Sequence, residues 1–324
     1  ASSNEIIFTP GTTSSINGLA FSFGERYIRE GDEIIVTEME HHANIVPWQM
    51  LCERKKSRLR VIPFSDEGVL SMEELNRTIN AKTRLICVIH VSNTLGTINP
   101  VHEIIQKAHQ HNIPVLVDGA QSIQHTSIDV QQMDCDFFAF SGHKIYAPTG
   151  IGILYGKEKW LEELPPFQGG GDMVDVVTFE KTTYNTLPFK FEAGTPNYIG
   201  AIGLARALDY ITHLGIENIA QHEQKLLHQG TEKLLALGCV KLYGTAPHKS
   251  SILSFIVNGV HPYDTGMVLD KMGIAVRTGT HCAQPVMQHY GIDGTVRASL
   301  ALYNTAGEIN ALVEGVKKVK TMFG

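Results

Sequence analysis

The chain has 324 residues, with 27 Lys and Arg against 33 Asp and Glu, a formal charge of −6. At roughly 150 residues per domain this length argues for about two domains. Apolar residues at 43% and charged residues at 19% suit a chain that buries a core and exclude a disordered or fibrous one. An acidic balance argues against non-specific nucleic-acid binding, which needs a basic face. No apolar run reaches the roughly 18 residues of a membrane span. The five cysteines, Cys52, Cys87, Cys135, Cys239 and Cys282, are widely spaced and odd in number. Neither a disulfide framework nor a CxxC zinc pattern follows, and a reducing, cytoplasmic compartment is expected.

In chain order, Ala1-Ser2-Ser3-Asn4 leads straight into the apolar run Ile6-Ile7-Phe8, without an initiator Met or a leader-like segment. That opening reads as a strand already inside a domain. Gly11-Thr12-Thr13 then introduces a helical run from Ser14 to Ala20. A glycine turn with hydroxyls at a helix start is either a simple cap or an anion cradle, because free N–H groups and the dipole point there.

Further strands are expected at Glu33-Ile34-Ile35-Val36, Leu59-Arg60-Val61-Ile62, Leu85-Ile86-Cys87-Val88-Ile89, Val115-Leu116-Val117 and Phe137-Phe138-Ala139-Phe140, with helices over 72–80 and 101–108 between them. Mostly apolar strands separated by helices predict a largely parallel sheet covered on both faces. Ligands of such sheets sit beyond the carboxyl ends of the strands. Residues just after each run are therefore the candidates for chemistry.

Glu38-Met39-Glu40-His41-His42-Ala43-Asn44 follows the Ile34 run. Adjacent histidines on a strand point to opposite faces, and no H-x-x-x-H supports a metal site. A histidine stacked on a planar cofactor and moving a proton is one reading, a hydrogen-bonded loop residue the other. The Val115 run delivers Asp118, which alone could be a turn residue, and the Phe137 run ends in Ser141-Gly142-His143-Lys144. An acid at one strand end and an amine at the next suit pyridoxal phosphate. The carboxylate would pair with the ring nitrogen and Lys144 with the aldehyde, while Ser141 and His143 complete a phosphate cradle.

From about residue 198 the texture changes to long helices over 200–212 and 219–237, a strand over 251–257 and a terminal helix over 306–322. This reads as a smaller α+β domain, giving residues 1–197 to a large domain and 198–324 to a small one. Within it lies Arg277-Thr278-Gly279-Thr280-His281-Cys282-Ala283, with Arg297 downstream. Cys282 is either a small buried apolar residue or a nucleophile in a polar loop.

Taken together, Gly11-Thr12-Thr13, Met39 to Trp48, His90-Val91-Ser92-Asn93, Asp118-Gly119-Ala120-Gln121, Phe140 to Lys144, Phe191 to Asn197 and Arg277 to Ala283 are similar to the motifs of the SufS-like group of cysteine desulfurases and selenocysteine lyases. That group belongs to the class V aminotransferase superfamily, and the similarity runs nearly end to end.

The resemblance implies the pyridoxal-phosphate transferase fold of type I and a cytoplasmic homodimer. Lys144 would carry the cofactor, Asp118 face its ring nitrogen, Gln121 its phenolic oxygen, and His41 stack on the ring. Thr12, Thr13, Ser141 and His143 would hold the phosphate, with Thr195 of the partner subunit reaching across. Asn93, counted also among the cofactor contacts, would bind the substrate carboxylate with Arg297, and Arg277 would position the loop of Cys282. Cys282 would take sulfur from L-cysteine as a persulfide, release alanine and serve an acceptor protein of the SufE or SufU kind in iron–sulfur assembly. L-selenocysteine is the alternative substrate, and an inactive scaffold binding the acceptor is the alternative role.

Three departures from the group stand out. Thr280 replaces the first of two histidines before the cysteine, Pro10 stands where a basic residue is common, and family members carry roughly eighty more residues at the front, over half a small domain.

Overall fold

A computed structural model describes residues 2–323, which divide into two compact units. The larger comprises residues 1–62, 72–90 and 100–213, and the smaller 63–71, 91–99 and 214–324.

The larger unit begins β1 (Ile6–Thr9), α1 (Thr12–Tyr27), β2 (Glu33–Thr37), α2 (Val46–Lys55) and β3 (Arg58–Ile62). It continues α3 (Met72–Thr78), β4 (Thr83–Ile89), α4 (Val101–Gln110), β5 (Val115–Asp118), α5 (Val130–Met133) and β6 (Phe137–Ser141). It closes with β7 (Gly152–Gly156), α6 (Glu158–Glu163), the hairpin β8 (Val174–Val177) and β9 (Thr182–Tyr184), and α7 (Tyr198–Leu214). Its sheet has seven strands in the order β1, β7, β6, β5, β4, β2, β3. The five from β6 to β3 run parallel, whereas β7 is antiparallel to both of its neighbours. Every residue of β2, β5, β6 and β7 is buried. That explains why these segments read as unbroken apolar runs rather than as alternation.

The core of this unit packs α1 and α2 on the sheet through Phe23, Trp48 and Leu51 against Phe137 and Leu116. Gly152, first in β7, pairs with Thr9 on one side and Ser141 on the other. A Cβ there would lie 2.5 Å from the Gly11 Cα and 2.6 Å from the Phe140 carbonyl oxygen. Only a residue without a side chain lets β7 close under the turn that starts α1.

The smaller unit contributes α8 (Ile216–Leu235), β10 (Val240–Tyr243), β11 (Ile252–Val257) and α9 (Pro262–Lys271). Then follow β12 (Arg277–Gly279), α10 (Gln284–Tyr290), β13 (Thr295–Ser299) and α11 (Ala306–Phe323). Its antiparallel sheet has the order β10, β11, β13, β12, and Phe255, Val296, Leu269 and Val316 centre its core. This is the α+β arrangement expected for the second domain.

The change of unit falls at 213/214, near the end of α7, whereas the sequence reading places a boundary at 197/198. The start of α7 stays with the larger unit, where Asn197 Nδ2 donates to the Gly150 carbonyl at 2.9 Å. Two loops, 63–71 and 91–99, join the smaller unit instead. Ser250 N donates to Gly96 O at 2.8 Å, Ile98 N to His248 O at 3.0 Å, and Thr97 Oγ1 to Gly68 O at 2.8 Å. These bonds satisfy loop backbone groups that would otherwise be buried without partners.

Gly152→Ala is expected to destabilise the protein by about 1–3 kcal/mol, because overpacking here meets backbone that cannot rotate away. Gly169→Ala, at a glycine with nothing within 4 Å, is the control and should shift stability by less than about 0.5 kcal/mol. Thermal unfolding of the two variants compares them directly.

Candidate active site

Parallel pairing of β5 with β6 sets Asp118 opposite Ala139. The carboxyl ends of both strands therefore open on the same edge of the sheet. Asp118 is 1% exposed and accepts a 2.9 Å hydrogen bond from the Ala120 amide. Burial pushes its carboxyl up to about 6, while the Ala120 bond and the Lys144 charge pull it down. Lys144 is half-buried in a 3-10 turn, Gly142–Ile145, that β6 runs into. Its neighbour His143 is exposed, with its imidazole lowered by burial and then by the Lys144 charge.

Ser141 ties this corner to the first helix. Its Oγ accepts the Thr12 amide at 2.8 Å and lies 2.9 Å from Thr12 Oγ1. Gly11 precedes the helix without a side-chain cap. The amides of Thr13 and Ser14 are thus left with no acceptor inside α1, the arrangement that favours an anion. A cleft of about 590 Å³ opens beside this turn, bordered by Thr9, Pro10, Ser14, Asn17, Gly150 and the exposed Thr195.

Gln121 is buried, with its Nε2 3.4 Å from His125 Nε2. His41 caps the turn His42–Asn44 through its Nδ1, which accepts the Ala43 amide at 3.0 Å. That bond assigns the proton of the neutral ring to Nε2.

Beneath His41 lies a residue to which sequence reasoning gave no role. Glu40 is fully buried, and its carboxylate accepts from Thr37 Oγ1 at 2.6 Å, Asn44 Nδ2 at 2.7 Å and the Ile89 amide at 2.8 Å. Asn44 Oδ1 accepts in turn from Trp48 Nε1 at 2.9 Å. Burial pushes Glu40 up to about 8 against the pull of its three donors. The spacing of Glu40, Asn44 and Trp48, four residues each, was the available signal.

The smaller unit holds the other candidates. Arg277 Nη2 donates to Cys282 Sγ at 3.4 Å, and Cys282 is half-buried. Arg297 Nη1 donates to the Asn93 carbonyl at 2.7 Å, and Asn93 Nδ2 donates to the His281 carbonyl at 2.7 Å. Asn93, read from sequence as a ligand contact, therefore holds Arg297 and the cysteine loop together and keeps only a buried Oδ1 without a partner. Burial lowers Arg297 to about 10, helped by the charge of Arg277 and opposed by Cys282. His281, 2% exposed, is lowered to about 4 by burial and then by Arg297 and Arg277, so it is neutral. His281 and Cys282 stand consecutively at φ 55° and 58°, each at a cost of about 1–3 kcal/mol that the surroundings must offset.

Residues 1–312 match the family described as Aminotransferase class-V. The chain belongs to that family. Over all 324 residues it is 51% identical to a protein of Escherichia coli O127:H6 named cysteine desulfurase, of which it covers 80%. The crystal structure of the Escherichia coli cysteine desulfurase CsdA superposes with a TM-score of 0.93 at 39% identity, covering 99% of this chain and 80% of that one. A mutant of C-DES with glycine covalently linked to its PLP cofactor superposes at 0.86 with 25% identity, covering 99% and 81%. No helix among the described residues is long and apolar enough to cross a membrane.

In the ligand-free protein Asp118, raised from 3.8 to about 6, binds its proton more tightly when folded than when unfolded. Its contribution to stability is therefore complete below about pH 4 and is lost as pH rises through about 6. Asp118→Asn should flatten that stretch of a plot of denaturation midpoint against pH. Glu40→Gln should flatten the stretch up to about pH 8.

Proposed function

We propose that this chain is a pyridoxal-phosphate-dependent cysteine desulfurase, working on L-cysteine in the cytoplasm. The carrying observation is that Asp118 and Lys144 stand at neighbouring strand ends beside an uncapped helix start whose glycine turn is locked to Ser141. That donor set fits pyridoxal phosphate on three counts. A buried carboxylate needs a cationic partner such as a ring N–H, the amine is close enough to influence it, and free amides await an anion.

When bound, the cofactor supplies an electron sink for charge developing at the substrate α-carbon. The residues of the chain do the rest. Lys144 holds the cofactor and moves the α-proton at its Nζ. Asp118 keeps a proton on the ring nitrogen, and His41, with its proton at Nε2, stacks on the ring face. Gln121 orients the ring edge. The α1 amides with Thr12, Thr13, Ser141 and His143 bind the phosphate, joined by Thr195 of the partner subunit. Arg297 pairs with the substrate carboxylate while Asn93 keeps it in place.

Cys282 then attacks the substrate sulfur. An S–S bond forms, the substrate Cβ–S bond breaks, its electron pair stays with the substrate carbon, and protonation releases L-alanine. The persulfide on Cys282 passes its outer sulfur to an acceptor protein of the SufE or SufU kind. Buried Cys52, Cys87 and Cys135 have no such role, and burial raises each thiol above its usual range.

Dimerisation is supported by α7, which leaves Ile199 70% and Ile202 69% exposed beside Tyr198 in a patch of the kind that marks an interface. Ile202→Arg is expected to convert a dimer to monomer in analytical ultracentrifugation.

Cys282→Ala should leave cofactor absorbance intact and lower alanine release from L-cysteine by about a thousandfold, whereas Lys144→Ala should lose the absorbance of protein-bound cofactor. Wild-type protein that gains no cofactor absorbance, or binds it and releases no alanine, refutes the reading and favours a scaffold.

A further inference from the structure

We propose that Thr295 is a positioning residue for Cys282, acting through the ring of His281. The proposal rests on the reading of Cys282 as the sulfur-accepting nucleophile, and its structural half can be tested without it.

Two consecutive non-glycine residues in the left-handed region, His281 and Cys282, do not persist unless the surroundings hold them there. The short edge strand β12 pairs on one side only, with β13, and ends at Gly279, two residues before His281. Two bonds act on the backbone. Asn93 Nδ2 donates to the His281 carbonyl at 2.7 Å, and the Ala283 amide closes the turn on Thr280 O at 2.9 Å. Neither fixes the His281 side chain.

That task falls to Thr295. Its Oγ1 lies 2.9 Å from His281 Nε2 and 2.6 Å from Ser254 Oγ. The hydroxyl thus serves both neighbours, giving its hydrogen to one and a lone pair to the other. Thr295 and Ser254 are 0% and 1% exposed and sit on β13 and β11, the two interior strands of the sheet. His281 Nδ1 is buried with no hydrogen-bond partner, and it is Thr295 that meets the ring, through its hydroxyl and its backbone. The relay from Ser254 through Thr295 to His281 therefore carries the rigidity of the sheet centre into the strained turn. It fixes the direction in which the next residue presents Sγ, with Arg277 Nη2 3.4 Å away.

Thr295→Val keeps the shape and removes the hydroxyl. Hydrogen–deuterium exchange should then rise about tenfold in the peptide covering 280–283 and stay unchanged in β11 and α11. With cofactor bound, kcat for alanine release should fall about tenfold at unchanged KM for L-cysteine, because Arg297 is untouched. Thr295→Ser should restore both values. If Thr295→Val fails to fold, Ser254→Ala breaks the relay one step back and should raise exchange at the same four residues. Exchange within about twofold of wild type, or a rise spread equally over β11 and α11, overturns the proposal. Wild-type protein that releases no alanine refutes the desulfurase reading, while the exchange pattern still decides whether Thr295 holds the turn.

Discussion

The arrangement of the larger unit depends on one backbone interaction, the parallel pairing of β5 with β6. It places a carboxylate at the end of β5 and an amine in the turn after β6, at the same sheet edge. Desolvation makes Asp118 costly to ionise alone, and that cost is what makes a cationic ring nitrogen a favourable neighbour. β7 carries the same register outward through Gly152, so that the first helix starts against Ser141. Strand registration thus sets the positions of the acid and of the turns that carry the amine and the helix start.

The smaller unit solves a different problem, the presentation of one thiol. In the loop of Cys282, hydrogen bonds offset the strain of two left-handed residues, and two arginines lie in its surroundings. Arg277 touches the sulfur, while Arg297 is anchored on a carbonyl with its Nε buried and unpartnered. The charge of Arg277 lowers Arg297 further, Cys282 opposes that shift, and the neutral state of His281 avoids adding a third cation. Thr280 takes part through its carbonyl, which accepts the Ala283 amide, while the relay runs through its neighbour His281.

Local pattern revealed the strands of the larger unit because burial on both faces writes continuous apolar runs. It also singled out Asp118, Ser141 and Lys144 as candidates, because chemistry in such sheets gathers at strand ends. Elements with mixed exposure, such as the β8–β9 hairpin and the short β12, carried no comparable periodicity. The cut at 197/198 followed a change in texture. The compact units also group the loops 63–71 and 91–99 with residues far along the chain, to which hydrogen bonds join them. Asn93 shows the same limit: its partner His281 is 188 residues away, and no spacing rule reaches that distance.

What residue types and order settle here is therefore the chemistry available: an acid, an amine, a glycine–threonine helix start and a cysteine between arginines, each at the end of an apolar run or in a polar loop. What only the tertiary structure decides is how those groups are held. Glu40 stabilises the turn of His41 through three donors from separate elements, and Asn93 and Thr295 brace the cysteine loop from strands and loops remote in sequence. The physical reason is that burial and hydrogen-bond satisfaction are properties of surroundings. A side chain's neighbours, and with them its charge state and orientation, exist only once distant segments have packed.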